Sequence, residues 1–113
     1  MSGELFIDGK WRSGRGVALE STNPATGEVV WRGATATGAD VADAVAAARK
    51  AFPAWADRPR EERIAVLRRY KDILIERTAA YAEALSRETG KALWETKAEL
   101  ASMAGKVDLS IRA

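Results

Sequence analysis

No cysteine and no histidine occur among the 113 residues. The first absence excludes a disulfide framework and any thiol nucleophile within the chain. The second removes the commonest general base and the commonest metal ligand. Long apolar runs are also missing. Nothing approaches the roughly 18 to 20 consecutive apolar residues of a membrane-spanning helix, and the opening MSGELFIDGKW holds no signal-peptide core. A cytoplasmic location without a membrane partner is expected. Charge of one sign is scarce too. The 18 Lys and Arg oppose 16 Asp and Glu and leave +2, too even for a phosphate-binding face, so no nucleic acid is expected.

What is present is ordinary for a globular chain: 47% hydrophobic and 30% charged residues, in a length that suits one small domain. Residues 1–36 read as strands and turns. Asp8-Gly9 between β-formers signals a hairpin, because glycine tolerates the positive φ of a primed turn. Ser13 to Gly16 reads as a flexible loop, VALEST as a weakly alternating strand, and NPATGE as a turn in which Gly27 supplies a left-handed residue. Residues 28–34, EVVWRGA, read as a strand rich in β-branched and aromatic side chains.

From residue 37 the period turns helical. Thr37 and Asp40 are spaced as a capping box. Val41, Ala44, Val45, Ala48 and Phe52 form one apolar stripe, and Pro53 is expected to end the helix or start its exit. A second helix is expected with Pro59 at its first position and Glu61 and Glu62 complementing its dipole. Its buried arc is read as Val66, Leu67, Tyr70, Ile73 and Leu74, with Ile64 at the edge. Thr78 is expected to cap a third helix over 79–89, ended by Gly90. A fourth runs from Ala92 to the last residue, where Val107, Leu109 and Ile111 are still apolar. An end of that kind, inside an amphipathic helix, suggests one segment of a longer protein. It also predicts an exposed apolar face on the last helix and weak stability for the isolated chain.

No residue cluster carries chemistry on its own. Arg58, Arg60, Arg63, Arg68 and Arg69 interleave with Glu61, Glu62, Asp72 and Glu76, which reads as a solvated face. The four tryptophans fall in four elements, which favours packing over a base-stacking platform. Neither SGRG nor TGADV forms a dinucleotide fingerprint or a P-loop. Glu95 and Glu99 share a helix face without any mark of an acid–base pair, and metal-ligand spacing is absent.

Order supplies what single motifs do not. The succession FIDGKW, NPATGE, an Ala-rich helix ending AFPAW, a PREER helix and ETGK resembles the start of the aldehyde dehydrogenase superfamily over nearly the whole chain. GKALWETK and the Met103 to Val107 stretch are most similar to its succinylglutamate-semialdehyde dehydrogenases. The resemblance implies an α/β parent with a Rossmann-like cofactor domain, of which this segment is the N-terminal part: β-hairpins and strands, then about four helices. It implies a homo-oligomeric enzyme that oxidises N-succinyl-L-glutamate 5-semialdehyde with NAD in arginine catabolism. A cysteine thiolate would attack the aldehyde, and a glutamate would activate the water that releases the acid. The family's cysteine, base and glycine-rich cofactor loop fall beyond residue 113. The resemblance therefore assigns no catalytic and no cofactor-binding residue here, and the chain's partner is the remainder of its own polypeptide.

By the same resemblance, Met103 and Lys106 are candidates for the substrate entrance, and Thr22 and Glu88 for a structural cation. A bland reading stands beside each: Met103 as core, Lys106 as a surface charge, Thr22 and Glu88 as local caps. Two other readings of the whole are open. One is another semialdehyde dehydrogenase, such as one for succinate semialdehyde. The other is a stand-alone helical interaction module.

Overall fold

In the computed structural model, which describes residues 3–113, Asp8 and Gly9 both take positive φ, 51° and 76°. That is the primed turn a two-residue hairpin needs. It joins β1 (Leu5–Ile7) to β2 (Lys10–Arg12) in antiparallel register, with Phe6 opposite Trp11. The two rings pack across the strands with centroids 4.9 Å apart. A second antiparallel pair follows, β3 (Ala18–Thr22) with β4 (Val29–Ala34). The NPATGE turn between them is closed by Gly27 N–H to Asn23 O and Asn23 N–H to Glu28 O, each 2.8 Å. The Asn23 side chain accepts from Ala25 N–H at 2.9 Å, and Gly27 has φ 75°.

Helix α1 (Gly38–Ala56) opens on the expected capping box. It does not end at Pro53. Proline removes one donor, its own, and the helix closes only when Asp57 N–H reaches Pro53 O at 3.0 Å. The stop comes from Pro59, which disfavours helical geometry in the residue before it. The chain divides here into two units, Met1–Asp57 and Arg58–Ala113.

The second unit holds α2 (Arg60–Glu76), α3 (Thr78–Thr89) and α4 (Leu93–Arg112). Pro59 sits one position earlier than expected, as the N-cap, and its carbonyl accepts from Glu62 N–H at 3.1 Å. Thr78 is not a cap either. Arg77 alone links α2 to α3, and the Thr78 hydroxyl donates to Leu74 O at 3.0 Å. Gly90 closes α3 with φ 75°, as its position after the last apolar residue suggests.

The core of this unit is built on α4. Leu100, Ala104 and Val107 are buried on it, together with Ile64 and Leu74 of α2 and Ala82 of α3. The arc expected to be buried on α2 is thus displaced. Ile64 is inside and Val66, Leu67 and Tyr70 are exposed. The helix has an apolar surface wider than α4 alone can cover. Buried Thr96 donates its hydroxyl to Ala82 O at 2.9 Å and to Leu93 O at 3.1 Å, tying α4 to α3. Arg60 donates to Ile111 O at 3.1 Å and satisfies a carbonyl at the end of α4.

The first unit contrasts with this. Among its described residues no apolar side chain is fully buried, and its one buried residue is Asp40, 1% exposed. The α1 stripe expected to face a core is exposed at Val41, Val45 and Phe52. Packing of the tryptophans holds only in part: Trp11 and Trp94 are 65% and 72% exposed, while Trp31 is half-buried.

Candidate functional site

The densest polar cluster of the described residues gathers on Asp40. Its Oδ2 accepts from Thr37 N–H at 2.8 Å, the Thr37 hydroxyl at 2.8 Å and Arg15 N–H at 3.1 Å. Its Oδ1 accepts from Arg15 Nε at 2.7 Å. One turn on, Asp43 accepts from Arg12 at 2.9 Å and Arg15 at 2.6 Å. The Thr37 backbone N–H, ahead of the other donors, holds the Asp40 carboxyl far below the usual carboxylate range. Arg12 and then Arg15 lower Asp43, and Asp40 and then Asp43 raise Arg15.

Such a carboxylate is a poor general base, because its lone pairs are taken and its proton affinity is low. Two arginines and two aspartates balance, so no net charge is left to draw a charged ligand. The cluster is a clamp. It pins the Ser13 to Gly16 loop, expected to be flexible, against the start of α1. The signal that could have found it is the same capping-box aspartate, since a cap carboxylate has a second oxygen to offer.

The glycines of that loop complete the clamp. A Cβ on Gly14 or Gly16 would collide with Thr35, and Gly16 N–H donates to Thr35 O at 2.8 Å. These glycines serve close approach to the chain itself. The neighbouring groove of about 490 Å³ is open, and Lys10, Lys50, Asp8 and Asp43 line it with mixed charge. Its charges pair with one another, Arg12 with Asp43 at 2.9 Å and Lys50 with Asp8 at 4.0 Å.

The candidate residues fall in both units. Met103 and Lys106 lie three apart on α4, both exposed, so Met103 is not part of the core. Thr22 is the exposed last residue of β3 in the first unit, and Glu88 is a half-buried residue of α3 in the second. No group of three or more potential metal-ligating side chains occurs among the described residues. Glu99 meets Lys91, whose ammonium it raises. Lys71 lies 2.6 Å from Asp108 and lowers that carboxyl. Among the described residues no helix is long and apolar enough to cross a membrane.

Residues 11–113 match the aldehyde dehydrogenase family. The chain belongs to that family. It is 86% identical, over its whole length, to N-succinylglutamate 5-semialdehyde dehydrogenase 2 of Caulobacter vibrioides, of which it spans the N-terminal 23%. Its fold is that of solved family members. A NAD-dependent benzaldehyde dehydrogenase from Corynebacterium glutamicum superposes with a TM-score of 0.92 at 28% identity, over 96% of this chain and 24% of that one. A succinate-semialdehyde dehydrogenase from Burkholderia pseudomallei gives a TM-score of 0.85 at 34% identity, over 89% of this chain and 21% of that one. The chain therefore spans about a quarter of the length of its relatives. The expected family and fold hold, with four short strands leading into four helices among the described residues.

Proposed function

We propose that this chain is the front segment of an NAD-dependent dehydrogenase that oxidises N-succinyl-L-glutamate 5-semialdehyde to N-succinyl-L-glutamate, and that it contributes scaffold rather than reacting groups. The observation that carries this reading is the 86% identity to the Caulobacter relative along all 113 residues. The geometry supports the division of labour. The chain has no cysteine to attack an aldehyde, its most buried carboxylate among the described residues is committed to a clamp, and its tightest glycine loop is packed against its own backbone. Exposed Met103 and Lys106 stay available for the substrate route.

The test is an assay of the polypeptide in which this segment is followed by the remaining three quarters, with the 113-residue chain in parallel. The long polypeptide should reduce NAD⁺ with the succinylated semialdehyde, more efficiently than with succinate semialdehyde or with NADP⁺. The short chain should neither bind NAD⁺ by calorimetry nor turn over. A preference for succinate semialdehyde would replace the substrate named here, a reading favoured only by the 34% identity to that enzyme. In the long polypeptide Met103→Ala or Lys106→Ala should raise KM for the aldehyde with little change in kcat. Unchanged KM in both would remove these residues from the substrate route.

A further inference from the structure

The six aspartates differ in how readily each can react with its own backbone. An aspartyl carboxyl cyclises when the nitrogen of the next residue reaches its Cγ. A side chain on that next residue, or a hydrogen bond that holds its N–H, obstructs the approach. Five of the aspartates precede a residue with a side chain. Four of those, Asp40, Asp43, Asp72 and Asp108, lie inside helices, where the next N–H is bonded to the preceding turn. The one asparagine, Asn23, precedes Pro24, which has no N–H to give. Asp8 alone precedes a glycine.

The fold sets this pair at the tip of the β1–β2 hairpin. Asp8 is the only non-glycine residue with positive φ among the described residues, and 67% of its side chain is exposed. A Cβ on Gly9 would meet nothing within 4 Å, so no neighbouring group shields its nitrogen. Among the described residues nothing accepts from the Gly9 N–H. The ion pair of Asp8 with Lys50 is long, 4.0 Å, and exposed, so it holds the carboxyl loosely. The turn itself is held by two strands of three residues, none of them fully buried. A hairpin of that size opens readily.

We propose that the Asp8–Gly9 peptide is a site of spontaneous covalent modification, converting through a succinimide to isoaspartate in the folded protein. The Gly9 nitrogen attacks Cγ of the protonated Asp8 carboxyl. The N–Cγ bond forms, the Cγ–OH bond breaks, and the hydroxyl leaves with the Gly9 amide proton as water. The five-membered imide then takes one water back. Opening at Cγ restores aspartate. Opening at the main-chain carbonyl carbon breaks its bond to the Gly9 nitrogen, frees that carbon as a carboxylate and routes the backbone through Cβ and Cγ. No oxidant or reductant enters. The added backbone atom does not fit a two-residue primed turn, so the register that sets Phe6 opposite Trp11 is lost. The freed carboxylate is the group that an S-adenosylmethionine-dependent isoaspartyl methyltransferase esterifies, which gives the product a specific probe.

The test ages the long polypeptide at neutral pH and growth temperature, with and without urea. It is then methylated by a purified isoaspartyl methyltransferase with labelled S-adenosylmethionine. Trypsin, cutting after Lys10, releases residues 1–10 as a peptide in which Asp8 is the only aspartate. Most of the label in the folded sample should fall in that peptide. Asp8→Glu, which would have to close a six-membered imide, should lose nearly all of it. Asp8→Asn keeps a residue that tolerates the turn and should gain label faster, with ammonia leaving in place of water. Label spread evenly over the aspartates, or label in this peptide that survives Asp8→Glu, would overturn the proposal. So would label at Asp8 that appears only in urea, because the folded turn would then protect the peptide. None of these outcomes depends on dehydrogenase activity, so this inference and the proposed function fail separately.

Discussion

Arg15 grips Asp40 twice, through its backbone N–H at 3.1 Å and its Nε at 2.7 Å. The same carboxylate caps α1 through Thr37. One buried side chain thus fixes both a glycine-rich loop and a helix start. Asp40→Asn keeps the size but loses the charge and turns one acceptor into a donor. The substitution should lower Tm and speed amide exchange at Arg15 and Gly16 more than at the NPATGE turn. Equal exchange at both places would show that the loop holds without the clamp. Thr37→Ala removes the cap together with the hydroxyl's bond to Asp40 Oδ2, keeps the Thr37 N–H bond, and should cost about 1–2 kcal/mol.

Acid should act through the same cluster. The folded-state values of Asp40, Asp43 and Asp108 lie below the ordinary carboxylate value of about 3.9. Each therefore contributes stability that is complete above that pH and lost as pH falls toward the folded values. Tm should be flat above about pH 5 and fall steadily below pH 4. Asp40→Asn should flatten the fall, because its largest acid-labile contributor is gone. Lys91, raised by Glu99, has the opposite sign. Its contribution is complete below about pH 10.4 and lost above. Thermal scans from pH 2 to 11 read both limbs.

The elements were legible wherever a local rule decides them. The Asp8-Gly9 hairpin, the Thr37/Asp40 box and Gly90 each depend on a few adjacent residues, and each stands where its residues indicate. Family membership was legible from motif order. Burial was not. Val66, Leu67 and Tyr70 have the spacing of a core arc, as do Val41, Val45 and Phe52, and both sets are exposed. Periodicity reports which face is apolar and says nothing about what covers it. The Arg15–Asp40 pairing was invisible for a related reason: its partners are 25 residues apart and no periodic signal links them. Pro53 starts the exit of α1 and does not end it, because a proline in the last turn removes only one hydrogen bond.

Thr96 is fully buried, and its hydroxyl serves the carbonyls of Ala82 and Leu93. Thr96→Val keeps the shape and removes the donor. With a single hydroxyl proton shared between two acceptors, the loss should be about 1 kcal/mol. Thr96→Ser keeps the bond and gives up one buried methyl, so it should cost a similar amount for a different reason. The two separate in a third variant. Thr96→Ala loses both and should approach the sum of the two. Chemical denaturation of the three variants gives the comparison, and a Thr96→Val variant as stable as the parent would mean that the hydrogen bond contributes nothing net.

Two glycines of the second unit should respond to alanine with opposite signs. Gly90 has φ 75°, where a Cβ meets its own backbone, so Gly90→Ala should destabilise by about 1 kcal/mol. Gly105 lies inside α4 with helical φ, and a Cβ there would meet nothing within 4 Å. Gly105→Ala therefore restricts the unfolded chain without a folded-state cost and should stabilise by about 0.5–1 kcal/mol. The open space around Gly105 belongs to the chain as it stands. In the long polypeptide the same substitution should stabilise only if that side of α4 stays uncovered, and should destabilise if another element approaches it closely. Measuring Gly105→Ala in both lengths therefore reports whether α4 is a surface helix or an interior one. The same sign in both lengths would make it a surface helix, and a reversal would place further polypeptide against it.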